Sequence, residues 1–235
     1  MLRILAASVI VFATTAIAAA APARIVILTS AEAADDWRLC EVGSQRAQGL
    51  RYNYLGDKAA KSFFSEEAPP AYFFAVTPTT VATATPASWS WRKPIINYSV
   101  LPQSDPKKLE EALHARTREA AGNILNNPAL RDKTIVMVWD RRHIADPEYE
   151  ARFEREAAVT LRQLFRLDIL PGVPLEWPAD NNDYFWIIDF PKNSNVPLKF
   201  EMVKQDFGKS FPKVPANEWG ESSNLPADSG CRATR

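Results

Sequence analysis

The chain alternates between uninterrupted apolar runs and segments whose apolar residues recur at helical spacing. A short apolar run without alternation is typical of a strand that is buried on both faces of a sheet. Such runs cover residues 25–28, 71–76, 95–100 and 134–139. Strands that alternate with helices predict an α/β fold, a three-layer α/β/α sandwich around a mainly parallel sheet.

Helix signals occur in the segments between these runs. Asp105 followed by Pro106 is typical of an N-cap and a first helical residue, and residues 126–128 (Asn-Asn-Pro) predict where this long helix ends. Asp146 and the proline after it predict the start of another helix, whose apolar stripe reaches Phe165. Two further helices are predicted in residues 39–55 and 81–88.

Two late apolar segments, residues 184–190 and 198–203, are separated by residues 191–197. A connection of this length predicts an antiparallel hairpin at one edge of the sheet. The residues after Phe211 are polar and contain prolines, so an irregular tail is predicted for 212–235. The predicted domain therefore covers residues 24–211.

The first 23 residues have the pattern of a secretory signal peptide. Arg3 gives a positive start, residues 4–17 carry no charge, and residues 18–23 are alanines around one proline. The alternative is an uncleaved anchor, for which the apolar run is short. The pattern predicts a secreted or periplasmic protein without a stable membrane span after cleavage. The signal peptide resembles those of bacterial proteins.

The net charge and the cysteine content limit which ligands and which cellular compartment are expected for this protein. The 28 basic and 28 acidic residues cancel, so no electrostatic basis exists for binding nucleic acid or an anionic membrane surface. Cys40 and Cys231 are the two cysteines. Export permits a disulfide between them, and the sequence leaves open whether they are bridged or free.

Polar clusters follow three of the predicted strands. They are Thr29-Ser30, residues 77–80 (Thr-Pro-Thr-Thr) and residues 140–143 (Asp-Arg-Arg-His). Chemistry in open α/β sheets gathers at the carboxyl ends of strands. If the three strands are neighbours, their clusters meet at one edge and form a candidate site.

At these clusters the sequence resembles the histidine phosphatase superfamily, whose fold is phosphoglycerate-mutase-like. The family's first strand ends in Arg-His, often followed by Ala-Glu, and here the strand leads into residues 29–32 (Thr-Ser-Ala-Glu). Residues 39–47, 77–86 and 138–144 match three later family motifs in order and spacing, and the likeness extends from Arg24 to Phe190. The resemblance implies the same α/β fold.

The family's chemistry needs residues that this chain lacks. A histidine accepts the phosphoryl group, and two arginines with a second histidine hold its charge. Thr29 stands at the position of the first arginine and Ser30 at that of the nucleophile. Val81, or Thr80 with a shift of one residue, replaces the second arginine, and Arg141 stands at the second histidine.

The first hypothesis is therefore a degenerate, exported, phosphatase-like pseudoenzyme that binds a ligand or has a structural role. Of its two histidines, His114 is expected to be structural or solvent-facing, and His143 lies near the predicted site. Thr29, Arg141 and Arg142 are the candidates for holding a small anion or a phosphorylated ligand, against the alternative of a solvated loop. No cofactor is predicted, and the sequence does not identify a protein partner.

The second hypothesis is a phosphoric ester hydrolase with a rebuilt site. Ser30 would be the nucleophile and His143 the base, oriented by Asp140 or Glu32. No Gly-x-Ser-x-Gly motif surrounds Ser30. No metal is predicted, because two histidines and two distant cysteines give no ligand spacing. An oxygen-ligand site is the one alternative, formed by Glu32, Asp35, Asp36 and Asp140.

The third hypothesis is an interaction module. Four tryptophans fall in predicted loops, and loop aromatics either anchor interfaces or cover the core. They are Trp89, Trp91, Trp177 and Trp219.

Overall fold

The structure is a computed structural model, and it describes residues 21–65, 67–221, 223, 225 and 227–232. The predicted signal peptide lies outside the described residues up to residue 20. Ala23 precedes the first strand, and its carbonyl accepts a hydrogen bond from the amide of Phe190. No helix in the described ranges has the length and apolar character needed to cross a membrane.

Six strands form one mixed sheet in the order β3-β2-β4-β1-β5-β6. The first four strands of the chain pair in parallel, β5 is antiparallel to β1, and β6 is antiparallel to β5. The predicted mainly parallel sheet and the late hairpin at its edge are confirmed. The strands are β1 (Arg24–Thr29), β2 (Pro70–Ala75), β3 (Ile95–Asn97), β4 (Thr134–Trp139), β5 (Tyr184–Asp189) and β6 (Lys199–Lys204).

The helices are capped largely as the sequence predicts. Asp105 accepts a hydrogen bond from the amide of Lys107, and Asp146 accepts one from the amide of Tyr149. A helix N-cap satisfies amides that have no partner inside the helix. The helices are α1 (Glu41–Leu50), α2 (Pro78–Ser90), α3 (Pro106–Asn126), α4 (Arg141–Ile144), α5 (Pro147–Arg152) and α6 (Leu161–Leu164).

Both faces of the sheet are covered by apolar side chains. Alternate residues of a strand point to opposite faces. Val26 and Leu28 of β1 pack in one core with residues of α1 and α2, whereas Ile25 and Ile27 pack in another core with residues of α3 and α6. The uninterrupted apolar runs are explained by this two-sided burial.

Three predictions of element length are wrong. The helix predicted for residues 147–165 is broken, because Phe153 has an extended backbone and Thr160 caps a new helix, α6. The strand predicted for 95–100 stops at Asn97, since Ser99 has a φ of 54°. Helix α2 starts before residue 81 and includes Trp89, which the sequence places in a loop.

The helix predicted for residues 39–55 changes type rather than continuing regularly. Helix α1 ends at Leu50 and is followed directly by a π-helical turn, Arg51–Leu55. Short π-helical turns are rare and occur frequently at functional sites.

Candidate functional site

The three polar clusters follow strands that are neighbours in the sheet. Strand β4 lies between β2 and β1, and Thr29 is opposite Trp139 in the parallel register. Ser30 and Asp140 therefore leave the same edge of the sheet on adjacent strands. Loops after β1, β2 and β4 form this carboxyl edge.

Threonines after β2 form hydrogen bonds that hold the edge together. The hydroxyl of Thr80 accepts hydrogen bonds from the amides of Val76 and Thr77, at 2.9 and 2.8 Å. The hydroxyl of Thr83 accepts one from the amide of Ala31, at 2.9 Å. These side chains fix the start of α2 and attach the loop after β1 to it.

Glu32 pairs with Arg46 of α1 in the interior, below this loop. The guanidinium donates from Nε to both carboxylate oxygens, at 3.1 and 3.0 Å, and from a terminal nitrogen to Oε1 at 2.7 Å. Gly43 makes the close approach possible, because a Cβ there would lie 2.0 Å from the carbonyl oxygen of Glu32.

The remaining donors of Arg46 are also occupied. One terminal nitrogen lies 2.8 Å from Asp183 Oδ1, and the other donates to Gln205 Oε1 at 2.9 Å. The carbonyl groups of Asn182 and Pro215 accept longer hydrogen bonds of 3.3 Å. We call Glu32, Arg46, Asp183 and Gln205 the Arg46 cluster.

The Arg46 cluster holds permanent charges away from water. The side chain of Arg46 is 1% exposed, and those of Glu32 and Asp183 are 4% and 1% exposed. Burial alone would raise the pKa of Glu32, but the charge and hydrogen bonds of Arg46 outweigh it and hold that pKa below its usual range. The same carboxylates raise the pKa of Arg46 against the effect of burial.

A disulfide fastens the C-terminal tail over this region. Cys40 and Cys231, whose pairing the sequence leaves open, are bonded, with 5.1 Å between their Cα atoms. The amide of Arg232 donates to the carbonyl of Ala33, and its guanidinium pairs with Asp36 at 2.5 Å. The predicted irregular tail is thus tied to the loop after β1.

The two histidines meet beside the end of β4. His143 Nε2 lies 2.9 Å from His114 Nδ1, and His143 Nδ1 lies 2.7 Å from Asp140 Oδ1. His114 Nε2 faces Glu110 at 3.5 Å and makes no hydrogen bond. We call His114 and His143 the histidine pair; its members are 6% and 1% exposed.

The hydrogen bonds assign one arrangement of protons to this pair. If Asp140 accepts the Nδ1 proton of His143, then His143 Nε2 is free to accept the Nδ1 proton of His114. Burial and the neighbouring ring of His143 lower the pKa of His114 to about 4, although Glu110 opposes the decrease. Burial would raise the pKa of Asp140, but its hydrogen bond from His143 lowers it.

His143, the proposed base for Ser30, is held by groups other than Ser30. Both ring nitrogens of His143 already have partners, Asp140 and His114. Asp140 does orient His143, as the hydrolase hypothesis expects, but the other ring nitrogen faces α3. Glu32, the alternative orienting carboxylate, is held by Arg46.

Arg141 and Arg142 have different surroundings. Arg142 pairs with Asp146 at 2.6 Å and Glu148 at 3.3 Å, and its guanidinium lies 4.1 Å from the ring centre of Tyr149. Arg142 is therefore directed along α5. Burial lowers the pKa of Arg141, an effect that the charges of Asp140 and Asp180 oppose.

The carboxylates of the alternative oxygen site are each paired with a cation or histidine, not with one another. Asp35 pairs with Arg38, and Asp36 pairs with Arg232. Among the residues that the structure describes, no group of three or more His, Cys, Asp or Glu is arranged to hold a metal ion.

Three of the four tryptophans pack into the structure. Trp91 donates to the carbonyl of Leu55 and packs on Phe64, whereas Trp177 and Trp219 pack against each other. Trp89 is 75% exposed.

The sequence reading missed the Arg46 cluster as a unit. Arg46 lies on the apolar face of α1 with Val42 and Leu50, and a charge on such a face signals a buried partner. Asp183 and Gln205 lie more than 130 residues away from Arg46 in the sequence, so no local pattern could pair them with it.

Similarity to known proteins is found among solved structures. No family model and no curated protein matches the sequence. Among solved structures, the chain is similar to SixA from Agrobacterium tumefaciens, a candidate phosphohistidine phosphatase, with 14% identity. The match covers 77% of this chain and 97% of that chain, with a TM-score of 0.37. At this TM-score the similarity carries no conclusion about activity.

Proposed function

We propose that this protein is a degenerate relative of the histidine phosphatases, without phosphohistidine chemistry, that acts outside the cytoplasm as a binding or structural protein. The proposal includes a three-layer arrangement, supported by apolar cores on both faces of the sheet. Thr29 and Ser30 occupy the positions where the resemblance would require the clamp arginine and the nucleophilic histidine.

One observation carries the proposal: both histidines of the chain are used in one buried pair. A phosphoryl acceptor needs an exposed ring nitrogen with a free lone pair. His143 Nε2 lies 2.9 Å from His114 Nδ1, and Nε2 of His114 is buried facing the Glu110 carboxylate. That carboxylate would repel an incoming phosphate.

The disulfide supports the location. Disulfides persist in oxidising compartments and are rare in the cytosol. Cys40 and Cys231 are bonded and join the two ends of the domain, which agrees with the signal-like pattern of the first 23 residues. Export is therefore part of the proposal.

The proposal keeps Thr29 and Arg142 as candidates for holding an anion, together with Arg141. The carboxylates of Asp140 and Asp180 and the guanidinium of Arg232 act on it. Arg142 is paired with Asp146 and Glu148, so the two adjacent arginines do not form a joint clamp.

Hydrolysis of p-nitrophenyl phosphate by the purified, disulfide-bonded mature chain tests the proposal. We expect the native chain, Ser30→Ala and His143→Ala each to release no more p-nitrophenol than buffer alone. Activity that both substitutions abolish would overturn it in favour of the rebuilt hydrolase. Arg118→Ala, at an exposed position of α3, is the matched control for handling and purity.

A further inference from the structure

A second candidate site lies on helices that carry neither histidine. A groove of about 370 Å³ runs between the end of α1, the π-helical turn and the end of α2. Gln48 and Arg51 line one side, and Thr85, Pro86, Trp89 and Ser90 line the other. The volume suits a ligand of about one ring, at the small end of ligand pockets.

Trp89 presents an unusual amount of apolar surface to this groove. It is 75% exposed at the end of α2, the highest value among the large apolar side chains of the described residues. Trp89 follows Thr85 by four residues, so both belong to the same helical face. An exposed indole beside a groove offers a flat surface on which a ring can stack.

Arg51 gives the groove its charge. Its guanidinium lies 4.9 Å from the ring centre of Tyr52, and no carboxylate of the described part of the chain pairs with it. Among the residues that line the groove, Arg51 alone carries a charge. The matching ligand is therefore an anion, and a carboxylate fits the planar donors of a guanidinium.

The remaining polar groups favour a hydroxyl-rich ligand. Gln48 is exposed, with an amide that can both donate and accept hydrogen bonds. The hydroxyl of Thr85 donates to the carbonyl of Val81, so its oxygen retains acceptor capacity for a ligand hydroxyl. The hydroxyl of Ser90 donates to the carbonyl of Ala87 and accepts from the amide of Asp57. The π-helical turn starts at Arg51 itself, where the regular helix ends.

We propose that this groove binds an acidic sugar, a pyranose ring that carries a carboxylate. The ring stacks on the indole of Trp89, the carboxylate pairs with Arg51, and ring hydroxyls bond to Gln48. The site is independent of the proposed function, because no group of the carboxyl edge takes part.

Saturation-transfer NMR with three probes tests the proposal on the mature, disulfide-bonded chain. The probes are methyl glucuronide, methyl glucoside and benzoate, which separate the carboxylate from the sugar ring. We expect methyl glucuronide to bind, and each of the other two to bind at least about tenfold more weakly. Methyl glucoside lacks the carboxylate that pairs with Arg51, and benzoate lacks the ring hydroxyls that bond to Gln48. Added salt should weaken binding of methyl glucuronide.

Matched variants assign any binding to this groove. Trp89→Ala and Arg51→Gln should each weaken binding of methyl glucuronide at least about tenfold. Trp37→Ala, at another exposed tryptophan, and Arg118→Gln should leave it unchanged. Trp89 is exposed and Arg51 is half-buried, so an unchanged Tm is needed to confirm that each variant is folded.

Four results would overturn the proposal. Equal binding of methyl glucoside would exclude the carboxylate contact, and equal binding of benzoate would exclude a sugar. No binding of methyl glucuronide, or binding that Trp89→Ala and Arg51→Gln leave intact, would exclude this groove as its site.

Discussion

The Arg46 cluster and the histidine pair are two buried polar groups near one edge of the sheet. They differ in how their charge is accommodated away from water. Arg46 keeps its charge, with carboxylates of Glu32 and Asp183 and three further acceptors around it. In the histidine pair, burial and the neighbouring ring of His143 lower the pKa of His114 to about 4, which favours the neutral ring of His114. The first is therefore insensitive to pH near neutrality, whereas the second depends on keeping a proton out.

The comparison also supports our proposal that this chain does not transfer phosphoryl groups. An arginine whose donors are all satisfied by the protein has none left for a phosphate. A histidine whose lone pair is shared with another ring is not a nucleophile. At this edge, polar residues stabilise the fold instead.

The largest expected effect is at Arg46. Arg46→Met leaves Glu32 and Asp183 buried without a cation, which should cost about 3–5 kcal/mol of unfolding free energy. Urea unfolding of the disulfide-bonded chain measures the loss. Arg24→Met is the control, since the partly exposed Arg24–Asp189 pair is worth about 0–1 kcal/mol. Equal losses for the two variants would contradict the distinct role of the Arg46 cluster.

The second largest effect on the unfolding free energy is expected from the disulfide. Reducing the Cys40–Cys231 bond, which spans 191 residues, should lower the unfolding free energy by about 2–4 kcal/mol. Because the tail supplies the Pro215 carbonyl to Arg46, hydrogen exchange should rise first near residues 215–217. Unchanged exchange there after reduction would show that the tail holds its place without the bond.

The histidine pair should make stability depend on pH where the Arg46 cluster does not. The pKa of His114 is about 4 in the folded chain and 6.5 when unfolded, so the unfolded chain binds the proton first. Stability is therefore full above pH 6.5 and falls as the pH drops toward 4. The shift sets an upper bound of about 3 kcal/mol, and solvent screening reduces our expectation to about 1–2 kcal/mol.

His114→Gln tests this dependence, because glutamine has no proton to gain. Unfolding free energies at several values of pH between 6.5 and 4.5 should give a flatter profile for the variant. Glu32 and Asp140 have lowered pKa values, so their contributions to the unfolding free energy are lost only at lower pH. They therefore do not affect the comparison between pH 6.5 and 4.5. An equally steep profile in His114→Gln would assign the effect to other groups.

The smallest effect is expected at Ser30. It is half-buried, and the base proposed for it, His143, is occupied. Ser30→Ala should change the unfolding free energy by no more than about 0.5 kcal/mol, as for most surface substitutions. A loss of several kcal/mol would reveal a structural role for its hydroxyl.

Local patterns predicted much of the fold. Buried strands such as residues 25–28 can be recognised in the sequence because both faces of the sheet require apolar side chains. Asp105 and Asp146 predict the starts of their helices because each caps a helix N-terminus. The broken segment after Phe153 was not predictable, since its apolar spacing is also that of a helix. Tertiary packing, not local helix propensity, determines whether such a segment forms one continuous helix.

The candidate site was predictable in position but not in its connections. Sequence order places Asp140, Ser30 and Thr77 at strand ends, and their strands are neighbours. The pairing of His114 with His143 joins α3 to the end of β4 across 29 residues, and hydrophobic periodicity contains no information about it.

The most direct test of the central claim is whether a histidine of this chain takes a phosphoryl group. The mature, disulfide-bonded chain would be incubated with phosphoramidate and examined by mass spectrometry under conditions that preserve acid-labile phosphate. We predict an unmodified chain at neutral pH, because both rings are buried and share one hydrogen bond. Phosphate found on His114 or His143 would contradict the account.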